Sequence, residues 1–163
     1  MNLVASSQLW GFHIENNEHF VFIELEALKT INEWRQYERF KQDEACGVLL
    51  GERRGAHLRI MLATPPQTSD ERKPAWYQRN PQGHQAIVNF WHQKSHGTIQ
   101  YLGEWHTHPE IKPSPSPKDY IEWTRTGKVP DFNHQLMIFF IAGIESHWLG
   151  VMLEGVLYKG IKY

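Results

Sequence analysis

Three residues stand out for what they could do together: His106 and His108, and Asp119 after ten intervening residues. If the two histidines lie on a strand, their side chains leave the same face and can converge on one ion. Asp119 can then return on the next element and close a three-ligand site of the His₂-carboxylate kind, for which zinc, one ion per chain, is the natural metal. Three protein ligands leave a fourth position for water, so such a site is catalytic rather than structural. A hydrolase of this kind also needs a carboxylate that is not a ligand, to take the water's proton and deliver it to a leaving amine. Glu44 fits that role: it opens an apolar run, where an acid at a sheet's rim can face the metal while Asp43 turns outward. Ser116 can offer its hydroxyl to the oxyanion of a tetrahedral intermediate.

The surrounding pattern supplies elements to hold these groups. His19 to Leu25 reads as a strand, and Leu28, Ile31, Trp34 and Tyr37, three apart, put an apolar stripe on a helix that ends before Asp43. Ala45 to Leu50 and Leu58 to Ala63, joined through Glu52-Arg53-Arg54-Gly55, read as a buried hairpin with Glu44 at its rim. Thr64 to Gln82, with Pro65, Pro66, Pro74 and Pro81, reads as a long surface connection of the kind that often serves function. Ile87, Phe90, Trp91 and Lys94 mark a second helix closed by Gly97, and Ile99 to Trp105 is a strand that delivers the histidines at its end.

Pro109 to Pro115 is a rigid loop, because its prolines lack backbone donors. Ser116-Pro117-Lys118-Asp119 then starts a helix to about Thr126, with Ser at the N-cap, Pro first and an acid third. Gln135 to Gly143, Trp148 to Leu153 and Val156 to Lys162 are three strands at hairpin spacing. Helices and strands alternate early and strands dominate late, which favours an α/β or α+β fold around one mixed sheet.

At 163 residues, with 40% hydrophobic residues and seven tryptophans, the chain fits a single domain spanning 1–163 with ample core. A formal charge of −1 without a basic run excludes an electrostatic footprint for nucleic acid, and a mean hydropathy of −0.55 excludes a membrane span. The first residues carry neither a basic nor a long apolar segment, so a cytoplasmic location is expected. Cys46 is the lone cysteine, which rules out a disulfide within the chain and a Cys-rich zinc site.

Plainer explanations compete for some of these residues. S-x-x-D is close to a capping box in its own right, so Ser116 and Asp119 could serve the helix alone. Cys46 reads as a small apolar residue of a buried strand rather than a nucleophile. The other histidines, His84 among them, lack a partner at ligand spacing, and Arg72, Lys73 and Arg79 read as a solvated loop face.

Glu44-Ala45-Cys46-Gly47, His106-Thr107-His108-Pro109 and Ser116-Pro117-Lys118-Asp119 resemble the E-x-x-G, H-[ST]-H-P and S-x-x-D motifs of the JAB/JAMM (MPN-type) zinc isopeptidases, with every motif position filled. The resemblance extends over roughly residues 19–162 and implies that family's single-domain, cytidine-deaminase-like fold, a mixed central sheet flanked by helices. It also implies that His106, His108 and Asp119 ligate zinc, that Glu44 is the acid/base and that Ser116 supports the oxyanion. Tyr101 to Pro109, Thr64-Pro65-Pro66 and Ser69-Asp70-Glu71-Arg72 are similar to stand-alone bacterial members that accompany CBASS antiphage operons.

That second resemblance implies a protein substrate with an extended C-terminal tail, either a ubiquitin-like protein or a conjugated cyclic-oligonucleotide synthase. It also implies ubiquitin-activating-like and conjugating-like enzymes in the same pathway. Two other functions remain open at this level: a non-catalytic scaffold of the same family, and a metal hydrolase or deaminase acting on a small molecule, which would usually need more cysteine ligands.

Overall fold

The structure, a computed structural model, describes residues 6–132 and 134–163. Its centre is β3 (Cys46–Arg54), in which every residue from Cys46 to Gly51 is buried, as expected of a strand covered on both faces. β4 (His57–Ala63) folds back against it as the hairpin that the sequence predicts. On its other side lies β7 (Gln100–Thr107), antiparallel, with Cys46 opposite His106. Beyond β7 come β8 (Met137–Ala142), parallel to it, then β9 (His147–Leu153) and β10 (Val156–Lys159). Beyond β4 come β2 (Asn17–Ile23), parallel to it, then β1 (Gln8–Ile14) and the short β11 (Ile161–Lys162). The sheet is mixed, in the order β10-β9-β8-β7-β3-β4-β2-β1-β11, and helices flank it. Among the described residues no helix is long and apolar enough to cross a membrane.

The last segment departs from the sequence reading in an informative way. Val156 to Lys162 is not one strand: it breaks at Gly160, and its halves pair with opposite edges of the sheet. The two edges are therefore one residue apart in the chain, so the sheet must curl back on itself. β1, not anticipated from the sequence, makes this closure possible. Its pattern was masked by the exposed apolar Leu9 and by Gly11, where a Cβ would come within 2.5 Å of the Tyr163 ring. Inside the curl, Trp10, Phe12 and Ile14 of β1 join Leu49, Trp105, Phe140 and Leu149 in one apolar cluster.

α1 (Leu25–Glu33) packs on β4 and adds Ala27, Leu28 and Ile31 to that cluster. The predicted stripe stops there. Trp34 and Tyr37 lie past the helix and are exposed, because the chain turns out of the helix to bury Gln36 instead. Gln36 accepts the Thr107 hydroxyl and donates to the carbonyls of Gln42 and Pro74, so it fastens this segment under the end of β7.

α2 (Pro81–Lys94) and α3 (Pro117–Gly127) flank a cleft on the other face of the sheet. Under α3, Trp123 stacks on Phe139 and Trp148 at centroid distances of 4.5 and 5.6 Å. The 64–82 connection is more ordered than its prolines suggest. It holds a small hairpin, β5 (Glu71–Lys73) and β6 (Trp76–Gln78), with Thr64 and Tyr77 buried.

Candidate metal centre

His106 is the penultimate residue of β7, and His108 follows directly after the strand, held by its N–H on the Ala142 carbonyl at 3.0 Å. Thr107 between them points to the opposite face, where its hydroxyl accepts the Ala45 N–H and donates to Gln36. The alternation of the strand thus sends both imidazoles to one side. Asp119 reaches them from the first turn of α3. Its N–H donates to Ser116 Oγ and its Oδ2 accepts the Ser116 N–H, a complete capping box that fixes the carboxylate before any ligand is present.

The donor atoms converge. His106 Nε2 lies 2.9 Å from His108 Nε2 and 3.4 Å from Asp119 Oδ1, and His108 Nε2 lies 3.2 Å from Asp119 Oδ2. These separations are those of three ligands on one small ion, since metal–ligand distances of about 2.0–2.1 Å at a tetrahedral centre space the ligands by little more than 3 Å. All three residues are buried. Burial lowers the His106 pKa and keeps that imidazole neutral. Burial alone would lower His108 and raise Asp119, but the bond and charge between them lift His108, and the bonds of Asp119 to His106 and His108 hold its carboxyl far below the usual carboxylate range.

Glu44 occupies the residue pair before β3, its N–H donating to the Lys73 carbonyl at 2.8 Å, so the β5–β6 hairpin is anchored beside it. Its side chain faces a pocket of about 250 Å³ that it shares with His108, Ser116 and Asp119. Burial, opposed by His108 and aided by Asp119, pushes the Glu44 carboxyl up to about 7. Ser116 uses its oxygen as the cap acceptor and keeps its hydroxyl hydrogen available to the same pocket.

Several neighbours escaped the sequence reading. Glu110 accepts from His108 Nδ1 at 2.8 Å, which fixes the tautomer and leaves Nε2 for an ion. An acid two residues past H-x-H was a readable signal. Tyr77 and Trp123 flank the His106 ring at 5.1 and 6.1 Å, and nothing local in the sequence pairs them with it. Trp105 packs beneath the strand and donates its indole N–H to the Thr64 carbonyl. Gly47, across from Trp105, has no room for a side chain: a Cβ would stand 2.1 Å from the Thr64 carbonyl oxygen and 2.4 Å from the indole nitrogen.

One expectation needs correction, and one core histidine has partners that the sequence did not reveal. Arg79 does not belong to a solvated face; its guanidinium is ion-paired with Glu104, which also accepts the Tyr101 hydroxyl. Glu104 is thereby spent, although it shares a face with His106. His84 does have partners. Its Nε2 meets Asp70 Oδ2 at 2.8 Å and its Nδ1 meets the Thr64 hydroxyl at 2.7 Å.

Cys46, Asp70 and His84 form a second group of donors within 4.8 Å of one another, but Asp70 already accepts the N–H groups of Gln67 and Asn80. His84 and Asp70 are bonded to each other, and Thr64 links His84 to the Val48 N–H, so the group is a hydrogen-bonded clamp joining the 64–80 segment and α2 to β3, and burial pushes the Cys46 thiol at its edge up to about 12.

A family described as prokaryotic homologs of the JAB domain matches residues 30–150, a span that contains Glu44, both histidines, Ser116 and Asp119. The chain belongs to this JAB-domain family. JAB relatives named "CD-NTase/cGAS isopeptidase" occur in Escherichia coli, 37% identical over 146 residues and 90% of each chain, and in Vibrio cholerae, 41% identical over 107 residues and 66% of each. A third, from Pseudomonas aeruginosa, is 44% identical over 98 residues, 59% of this chain and 62% of the relative. Among solved structures, a Desulfitobacterium hafniense protein shares the JAB chain's fold with a TM-score of 0.56 at 19% identity, covering 82% of this chain and 86% of its own.

Proposed function

We propose that this chain is a zinc-dependent isopeptidase that cuts the bond joining the C-terminal tail of a cyclic-oligonucleotide synthase, or of a ubiquitin-like protein, to its target. The observation that carries the reading is the convergence of His106, His108 and Asp119 to within 3.4 Å, with the non-ligand acid Glu44 in the adjoining pocket. The names of the relatives supply the substrate class. Zinc, when bound, polarises the scissile carbonyl and lowers the pKa of water to about 7.

The chain's own groups do the rest. Glu44 takes a proton from the attacking water and delivers it to the amine nitrogen as the C–N bond breaks, a role that its place in the pocket beside His108 and Asp119 supports. Ser116 donates its hydroxyl to the oxyanion of the tetrahedral intermediate. A non-catalytic scaffold would have no use for a full ligand set beside a raised carboxyl. Ubiquitin-activating-like and conjugating-like enzymes are the expected sources of the conjugates, and the bacterial cytoplasm their place.

The test uses a cyclic-oligonucleotide synthase fused at its C-terminus to a reporter protein, with mass spectrometry locating the cut. Cleavage at the joint, about one zinc per chain and loss of activity on chelation are expected. Protein that carries no metal and cleaves equally well after chelation would overturn the mechanism.

A further inference from the structure

Phe40 has no place in the core, being 57% exposed and part of neither buried apolar cluster. Its backbone is left-handed, φ +63°, a conformation that bulky L side chains rarely adopt and that glycine takes freely. Conformations of this kind persist only where the surroundings enforce them, and they concentrate at binding and active sites. The enforcement here is visible. Gln36 is pinned under Thr107 and Pro74 and also donates to the Gln42 carbonyl, while Gln42 Oε1 accepts the Glu38 N–H. Those bonds clasp the 36–42 segment at its base and leave Phe40 projecting, with the Arg39 guanidinium 5.0 Å from its ring.

The residue borders the pocket already described. Phe40 lines it together with Ala75, Trp76 and Pro109, on the same cavity as Glu44 and His108. An aromatic ring kept exposed at the cost of backbone strain, beside the candidate catalytic groups, is suited to contact a partner that arrives with the reaction. We propose that Phe40 is a specificity-determining residue, forming an apolar wall that receives a large apolar side chain of the substrate tail close to the scissile bond. This rests on the isopeptidase reading above. It adds the chemistry of the tail residue recognised, and it assigns that recognition to the 36–42 segment.

The experiment varies both partners. In the synthase–reporter fusion, each of the four residues before the joint is changed in turn to Leu and to its polar near-isostere Asn, and kcat/KM is measured with wild type, Phe40→Gly and Phe40→Leu. At one position the wild type should prefer Leu to Asn by about tenfold or more, the discrimination that burial of one aliphatic side chain supports. Phe40→Gly should reduce that ratio below about threefold, and Phe40→Leu should restore most of it. Glycine suits the left-handed backbone, so Phe40→Gly should leave Tm unchanged or raise it by up to about 4 °C.

A ratio untouched by Phe40→Gly, no preference at any position, or a Tm several degrees lower, which would make Phe40 a packing residue, overturns the assignment while the isopeptidase reading stands. If the wild type cleaves none of the fusions, the reading fails for the synthase tail and takes this assignment with it.

Discussion

Glu44 and Glu110 are two carboxylates in one pocket with different surroundings. Glu44 is buried and its pKa is raised to about 7, whereas Glu110 is half exposed and engaged with His108 Nδ1. Glu44→Ala should therefore keep its zinc and fold while turnover falls by about 10²–10⁴-fold, the usual contribution of a general acid–base group. Metal analysis and a cleavage assay on one preparation decide this; lost zinc would make Glu44 a ligand. Glu110→Gln should retain the ligands but weaken zinc binding by about 10–100-fold, as loss of an outer carboxylate on a ligating histidine typically does. Competition against a chromophoric chelator measures it, and an unchanged affinity would mean that His108 is oriented by the backbone alone.

At the scale of elements, the start of α3 serves both helix and site. The capping box that begins the helix also presents Asp119 to the histidines, so a local helix signal and a candidate metal ligand are the same residue. Ser116→Ala should cost about 1 kcal/mol of stability from the lost cap and, if the hydroxyl also meets the oxyanion, about 10²-fold or more in kcat. A lower Tm with full kcat would leave Ser116 as a cap only. β3 makes a comparable demand through Gly47. Gly47→Ala drives a methyl against the Thr64 carbonyl and the Trp105 indole, where backbone cannot yield cheaply. A loss of about 1–3 kcal/mol in urea unfolding is expected.

For the whole molecule, the closing of the sheet leaves a titratable group at the seam. Gln8 Nε2 of β1 lies 3.1 Å from His147 Nδ1 of β9, and among the described residues His147 Nε2 has no hydrogen-bond partner. Burial, with help from the nearby Lys162 and Arg35 charges, lowers the His147 pKa to about 4. Between that value and the unfolded one of about 6.5, the unfolded chain binds the proton and the folded chain does not. Stability should thus be full above about pH 6.5, fall as the pH drops towards 4 and lose on the order of 3 kcal/mol from this group. Urea midpoints across that range, for wild type and His147→Gln, isolate the effect as the difference between the two slopes.

The motif residues were legible in the sequence because their constraints are local. Two-residue spacing on a strand fixes which way His106 and His108 point, and S-P-x-D fixes a helix start whose acid faces back towards the cap. The hairpin around β3 and β4 was readable for the same reason, as a continuous apolar run turning at Gly55. What tertiary structure alone decided involves partners far apart in the chain. Arg79 became a partly buried ion pair because Glu104 lies opposite, Gln36 displaced Trp34 and Tyr37 from the buried face because Thr107 needed an acceptor, and Val156 to Lys162 split because both sheet edges had to be paired. A lone sequence records which side chains are able to pair or be buried. Which of them do so is settled only when the curl of the sheet brings the candidates together and water is excluded between them.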